Sequence, residues 1–231
     1  MTISKPHRRW FQFSLRTLLI VMTLLALGLG TAMLPAERQR RAVRTVRGLG
    51  GSVSYADPRA GESLFVSQLR VRLGRDYVDV VKEIDLVGTP ASDQDLAQLQ
   101  RLTHVERLFL DDTQVTDAGL EHLQGLKQTQ MLSLNNTRIS DAGVAHLLQA
   151  TNLQTLWLNR TGVTDATLAR LHQHSQIGEL YLDGTQVTDA GLPHLQKLSQ
   201  LRKLSLAGTR VTEAGVNELK KSLPRCYIFY R

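Results

Sequence analysis

A chain of 231 residues is long enough for one or two domains, and a lone cysteine, Cys226, excludes an intrachain disulfide. The formal charge of +7 is uneven: residues 1–80 hold 13 Lys/Arg against 5 Asp/Glu, and residues 81–231 hold 15 against 16. The C-terminal two thirds therefore lack the basic face that phosphate affinity needs, which removes the case for a nucleic-acid partner.

Residues 1–16 form a basic N-terminal tail carrying Lys5, Arg8, Arg9 and Arg16. Residues 17–36, TLLIVMTLLALGLGTAMLPA, contain no charge. Twenty residues at about 1.5 Å each would span about 30 Å as a helix, the thickness of a bilayer's hydrocarbon core. Trp10, Phe11 and Phe13 precede the segment, where interfacial aromatics sit. It reads as a transmembrane helix (a signal anchor) or as a cleaved signal peptide. Gly30-Thr31-Ala32 resembles a cleavage site, but the apolar run continues through Met33 and Leu34 and basic residues follow at once, favouring the anchor. Arg38, Arg40, Arg41, Arg44 and Arg47 lie beyond it. Four basic residues before against five after give the positive-inside rule little purchase; the short tail favours a single-pass protein with the remainder exported. The Arg cluster would then lie against headgroups, each charge contributing about 1 kcal/mol near an anionic leaflet.

Residues 37–80 read as an N-terminal cap and juxtamembrane region. An amphipathic helix spans Arg38 to Arg47 and stops at Gly48, Gly50 and Gly51. Ser52 to Ala56 forms a short strand, and Ser63 to Val81 a second helix. The cap would shield the open edge of whatever follows.

From Val81 the chain repeats itself every 24 residues without insertion. Six units begin at Val81, Val105, Thr129, Leu153, Ile177 and Leu201, and RCYIFYR supplies the strand of a seventh. Threonine holds position nine in all six (Thr89, Thr113, Thr137, Thr161, Thr185, Thr209) and leucine position six (Leu86, Leu110, Leu134, Leu158, Leu182, Leu206). Positions four and six alternate with polar residues, so they share one face of a short strand. The threonine hydroxyl bonds backbone groups where the chain leaves the sheet. Thr-Asp, Ser-Asp or Thr-Glu then starts a helix, with the hydroxyl or carboxylate capping free amides. Apolar residues follow at helical spacing, as in Leu120, Leu123 and Leu126; Pro193 should delay the helix of its own unit. One unit cannot bury its apolar stripe alone, whereas a stack buries it between neighbours.

The pattern L-x-x-L-x-L-x-x-T resembles the leucine-rich repeat family, in its 24-residue subclass with VTDAGL-like helices, over residues 81–231. The basic tail, FSLRTLL and apolar segment resemble bacterial membrane-anchored members. The resemblance implies an α/β solenoid, with a parallel sheet on the concave side and helices on the convex side. It implies a non-catalytic protein-interaction scaffold without a cofactor. The partner would be a protein or peptide, and the membrane would be engaged through residues 17–36.

On such a strand, positions two, three, five, seven and eight face the concave solvent. Position five reads Asp85, Phe109, Ser133, Trp157, Tyr181, Ser205 and Phe229. Phe109, Trp157 and Tyr181 form an aromatic strip, and Asp111, Asn135, Asn159 and Asp183 a polar row at position seven beside it. An aromatic strip with a polar rim is how interface hot spots are built, although aromatics also suit strands for packing alone. The carboxylate column Asp93, Asp117, Asp141, Asp165, Asp189 and Glu213 is explained by helix capping rather than by calcium. His122, His146 and His194 share position eighteen, with His172 and His174 near, but no carboxylate or thiolate completes a metal set. Cys226, in the apolar CYIFY, reads as structural. No nucleophile elbow, phosphate loop or zinc spacing appears. Two other readings stay open: a structural spacer or self-associating membrane protein without a dedicated ligand, and an unrecognised enzyme.

Overall fold

The computed structural model of the chain describes residues 34–57, 63–147, 152–171 and 174–231. The basic tail, the apolar segment 17–36 except its last three residues, and His172 lie outside them. Among the described residues no helix is long and apolar enough to cross a membrane.

Residues 34–48 form α1, so the end of the apolar segment falls within a helix that continues into the cap. The cap adds β1 (Ser52–Tyr55), α2 (Leu64–Leu73) and α3 (Arg75–Val78). The repeats supply β2 (Val81–Asp85), α4 (Asp93–Leu99), β3 (Arg107–Phe109), α5 (Asp117–Glu121) and a 3₁₀ turn (His122–Gly125). They continue through β4 (Met131–Ser133), α6 (Asp141–Leu147), β5 (Thr155–Trp157), α7 (Asp165–Leu171) and β6 (Glu179–Tyr181). The last elements are α8 (Leu192–Leu195), β7 (Lys203–Ser205), α9 (Glu213–Ser222) and β8 (Tyr227–Phe229).

The strands form a single sheet in chain order. β2 to β8 are parallel, each residue pairing with the one 24 further on, as in Leu108↔Leu132↔Leu156. The fold is thus a leucine-rich repeat solenoid whose sheet register equals the sequence period. The leucines of position six and the Ile or Leu of position four are buried in one continuous core. Position one is apolar except for Thr129, which is buried with its hydroxyl donating to the Val105 carbonyl at 3.0 Å. All six position-nine threonines donate to the carbonyl three residues back, at 2.6–2.7 Å.

Position eight is left-handed in every unit: Gly88, Asp112, Asn136, Arg160, Gly184 and Gly208 all have φ between 53° and 68°. Glycine, Asn and Asp tolerate that turn, whereas Arg160 adopts it at a steric cost. The turn aims an amide at the next unit, as Arg160 N–H to the Asp183 carbonyl at 2.7 Å shows.

The aspartate column does not cap its own helices. Each carboxylate reaches into the next unit and holds its position-twelve Thr or Ser by two bonds. Asp93 Oδ1 accepts from Thr116 N–H at 2.8 Å and Oδ2 from the Thr116 hydroxyl at 2.6 Å. Asp117 holds Ser140, Asp141 holds Thr164, Asp165 holds Thr188 and Asp189 holds Thr212 in the same way. The hydroxyls of Ser140, Thr164 and Thr212 retain the capping role, each accepting a helix amide at 3.2 Å, while Thr188 accepts the Ala190 amide in the turn before α8 at the same distance. The staple explains the glycine of VTDAG. A Cβ at Gly119, Gly143, Gly191 or Gly215 would overlap the carboxylate of the preceding unit. In the fourth unit Thr167 stands there instead, and it bonds Asp141 through both its amide (3.0 Å) and its hydroxyl (2.5 Å). Burial alone would raise the Asp141 carboxyl, but these bonds from Thr167 and Thr164 more than reverse it, leaving it below its ordinary value.

Pro193 acts as the sequence suggests: α8 begins at Leu192 and is four residues long, whereas α7 begins at Asp165. The second cap helix departs from expectation. It breaks at Gly74 (φ 88°), and the chain is extended from Asp79 instead of helical to Val81. Gly74 ends α2, and Asp79 then binds two arginines that a continuous helix would not bring together. Its buried carboxylate accepts from Arg70 Nε at 2.7 Å and Arg75 Nε at 2.6 Å. Burial pushes the Asp79 carboxyl up, and the bonds from Arg75 and Arg70 pull it back below the ordinary value. Gln39 of α1 donates to the carbonyls of Asp76 and Asp79, while Ala42, Val43 and Val46 bury the helix against the core. β1 lies antiparallel on β2, so it occupies that edge of the parallel sheet.

Two outcomes follow from these contacts. Gly143→Ala should cost about 2 kcal/mol in urea unfolding, and the larger part of that cost should disappear on an Asp117→Ala background, because the closest overlap is with the Asp117 carboxylate. Asp79 and Asp141 bind protons less readily folded than unfolded, so their stabilisation is complete above the ordinary value of 3.8 and lost as pH falls through the lower folded values. Asp79→Asn should therefore flatten the acid limb of a stability–pH curve measured by denaturant titration.

Candidate functional site: the concave face

The stacking register carries every position-five side chain to the same face of the sheet. Trp157 and Tyr181, paired across β5 and β6, stack with ring centroids 5.5 Å apart and planes 13° from parallel. Both rings are half-buried, as is Phe109 two strands away on β3. The serines of this row do not face solvent as the position rule predicts. Ser133 is 3% exposed and Ser205 7%, each with its hydroxyl bonded to the position-seven aspartate of the preceding unit. At the last strand Phe229 is 49% exposed and Tyr227 71%.

The Tyr181 hydroxyl donates to Glu179 Oε2 at 2.8 Å, and Glu179 also pairs with Lys203 at 3.1 Å. Burial, with the Glu179 carboxylate holding the proton, pushes the phenol up to about 12. Burial raises the Glu179 carboxyl as well, but bonds from Tyr181 and Lys203 leave it below its usual range. The phenol is therefore a fixed neutral donor across the physiological range.

Position seven is a ladder as much as a rim. Asp111 Oδ1 accepts from the Ser133 hydroxyl (2.5 Å) and Asn135 N–H (2.8 Å). Asn135 Oδ1 accepts from Asn159 N–H (2.9 Å), and Asn159 Oδ1 from Asp183 N–H (2.7 Å). Asp183 Oδ1 takes the Ser205 hydroxyl (2.5 Å) and Ala207 N–H (2.8 Å). Each side chain thus commits one oxygen to holding the next strand. The Oδ2 atoms of Asp111 and Asp183 and the Asn159 amide nitrogen have no bond within the described residues. The seven residues singled out by sequence are therefore brought to one face, four of them (Asp111, Asn135, Asn159 and Asp183) already hydrogen-bonded to the next unit.

Sequence reasoning missed the charge pairs at the strand entrances. At positions two and three, Lys82 pairs with Glu106, Arg107 with Glu83, and Lys203 with Glu179, each across one strand spacing. Reading those two columns for opposite charges 24 residues apart would have found them.

Elsewhere, no group of three or more His, Cys, Asp or Glu side chains is placed to hold a metal ion among the described residues. His146 Nδ1 lies 3.3 Å from the Gln124 amide nitrogen. Cys226 is buried, and burial pushes its thiol up to about 11, the reverse of what a nucleophile needs.

No protein-family model matches the chain, and no curated protein does. Among solved structures it is similar to an internalin, inlF, of Listeria monocytogenes at 19% identity and a TM-score of 0.48, over 71% of this chain and 54% of that one. It is similar to internalin C2 of the same organism at 16% identity and a TM-score of 0.48, over 84% of this chain and 92% of that one. A leucine-rich repeat protein of Leptospira interrogans aligns at 17% identity and a TM-score of 0.40, over 57% of this chain and 44% of that one. The chain thus spans about half the length of the first of these.

Proposed function

We propose that this chain is a membrane-anchored, non-catalytic scaffold that binds a protein or peptide across its concave sheet. The observation that carries the reading is the stacked Trp157–Tyr181 pair, two large rings side by side on an outward face. Such a pair gains more from being covered by a partner than from lying against water. Phe109 extends the apolar strip toward β3. The free oxygens of Asp111 and Asp183 and the Asn159 amide supply polar contacts at its margin, with Asn135 between them. The proposed anchor is the uncharged segment 17–36. The chain leaving it enters α1, which packs on the solenoid through Ala42, Val43 and Val46. The repeats are proposed to lie on the exported side, close to the bilayer.

The test is cross-linked capture from native membranes, comparing the full chain with Trp157→Ala/Tyr181→Ala. The double variant should lose the species captured by the parent, a drop of about 100-fold in affinity, with an unchanged far-ultraviolet circular dichroism spectrum. Undiminished capture overturns the concave assignment. On intact cells, added protease should degrade the repeats; full protection places them on the other side.

A further inference from the structure

At the strand-entry end of the sheet an open cleft of about 450 Å³ lies between Gln154, Gln176, Gly178, Ser199, Gln200 and Arg202. It arises from one departure in the repeat. Position two reads Lys82, Glu106, Gln130, Gln154, Gly178 and Arg202, so the fifth unit has no side chain where its neighbours have long ones. The gap leaves no strain to repair. Gly178 N–H donates to the Gln154 carbonyl at 2.8 Å, and its own carbonyl accepts from Arg202 N–H (2.7 Å) and Lys203 N–H (3.1 Å). The backbone is satisfied, and the space beside it is open.

The same departure isolates a charge. Of the charged residues at positions two and three, Lys82, Glu83, Glu106, Arg107, Glu179 and Lys203 each meet an opposite charge one strand over. Arg202 does not: its position-two neighbours are Gly178 on one side and the buried Cys226 on the other. Its guanidinium has no ion pair or hydrogen bond among the described residues, and it borders a cleft otherwise lined by neutral amides and hydroxyls.

We propose that this cleft receives a carboxylate side chain from an acidic peptide segment of the partner, with Arg202 as counter-ion. The proposal rests on the concave reading and names the partner's chemistry. A guanidinium fork matches a carboxylate with two parallel bonds, and the glutamine amides and serine hydroxyls can donate to its outer lone pairs. One cation balances one carboxylate; a phosphate monoester, with about two charges, would leave one unmatched. The cleft lies three residues before Tyr181, about 10 Å along a strand, so a chain covering the Trp157–Tyr181 pair reaches it with a neighbouring side chain.

The test uses the full chain in detergent micelles, isotope-labelled, titrated with acetyl-Gly-Glu-Gly-amide while the backbone amide signals of Gly178, Ser199 and Arg202 are followed. The expected result is saturable movement, weakened about tenfold in Arg202→Gln and in Gly178→Gln, and absent with the Gln tripeptide. Gly178→Gln refills the gap without disturbing the fold, since a Cβ there meets only the Gln154 and Gln200 carbonyls at 3.7 Å. Its unfolding midpoint should match the parent's. Equal movement with the Gln tripeptide, or movement indifferent to Arg202→Gln, overturns the proposal. Saturation by inorganic phosphate with none by the Glu tripeptide overturns the peptide assignment. If Trp157→Ala/Tyr181→Ala leaves capture intact while the Glu titration behaves as expected, the concave reading falls and the carboxylate site stands.

Discussion

A carboxylate can bridge two repeats only where the next repeat gives it room. Position thirteen supplies the acid, position twelve of the following unit supplies an amide and a hydroxyl, and position fifteen must supply either nothing or a donor. Glycine meets the first condition in four units, and Thr167 meets the second by bonding Asp141 twice. The motif VTDAG is therefore both a helix's start signal and one half of a joint whose other half lies in the adjacent unit. Four of the five joints partly bury their two charge-assisted hydrogen bonds, where these weigh more than at an exposed cap, and only the Asp189–Thr212 joint lies exposed. Stability then becomes a sum of nearest-neighbour terms, and breaking one joint loosens two units.

The joint has consequences for the opposite face. Because consecutive units are held in fixed register at the helix side, residues 24 apart must meet on the sheet side. That enforces the ladder from Asp111 to Asp183, the ion pairs at the strand entrances and the stacking of Trp157 on Tyr181. A face built this way is fixed in advance, and on the proposed reading that would lower the entropic cost of binding. Rigidity also has a cost in chemistry: the polar row has given one acceptor per residue to the scaffold and offers a partner only what remains.

Much of this was legible in the letters, because period and burial are written in the same columns. The leucines of position six, the threonines of position nine and the short α8 around Pro193 all stand where the spacing places them. What escaped was direction. Asp117 beside a helix start has the right chemistry to cap that helix or to reach outward, and only the three-dimensional stack selects Ser140 as its partner. Ser133 and Ser205 escaped for a related reason, since alternation gives the face of a side chain but not its partner in the preceding unit. The break at Gly74 was visible as a glycine, yet its purpose, turning Asp79 toward Arg70 and Arg75, depends on residues whose meeting no local rule predicts.

Positions that make the stack are nearly invariant from unit to unit, since a change at one of them is felt by two repeats. Positions two, three and five take no part in the joints, and there the units differ freely. Differences at these positions are therefore the place to look for information about a ligand. They are concentrated: the ring pair sits on β5 and β6, the missing side chain is Gly178, and the unmatched cation is Arg202, all within three consecutive units. The first two strands instead neutralise their charges on each other through Lys82–Glu106 and Arg107–Glu83. Of the charged residues at positions two and three, Arg202 alone meets no opposite charge among the described residues; it follows β6, away from α1, so on the proposed reading a partner would engage it without displacing the helix that leads from the apolar segment.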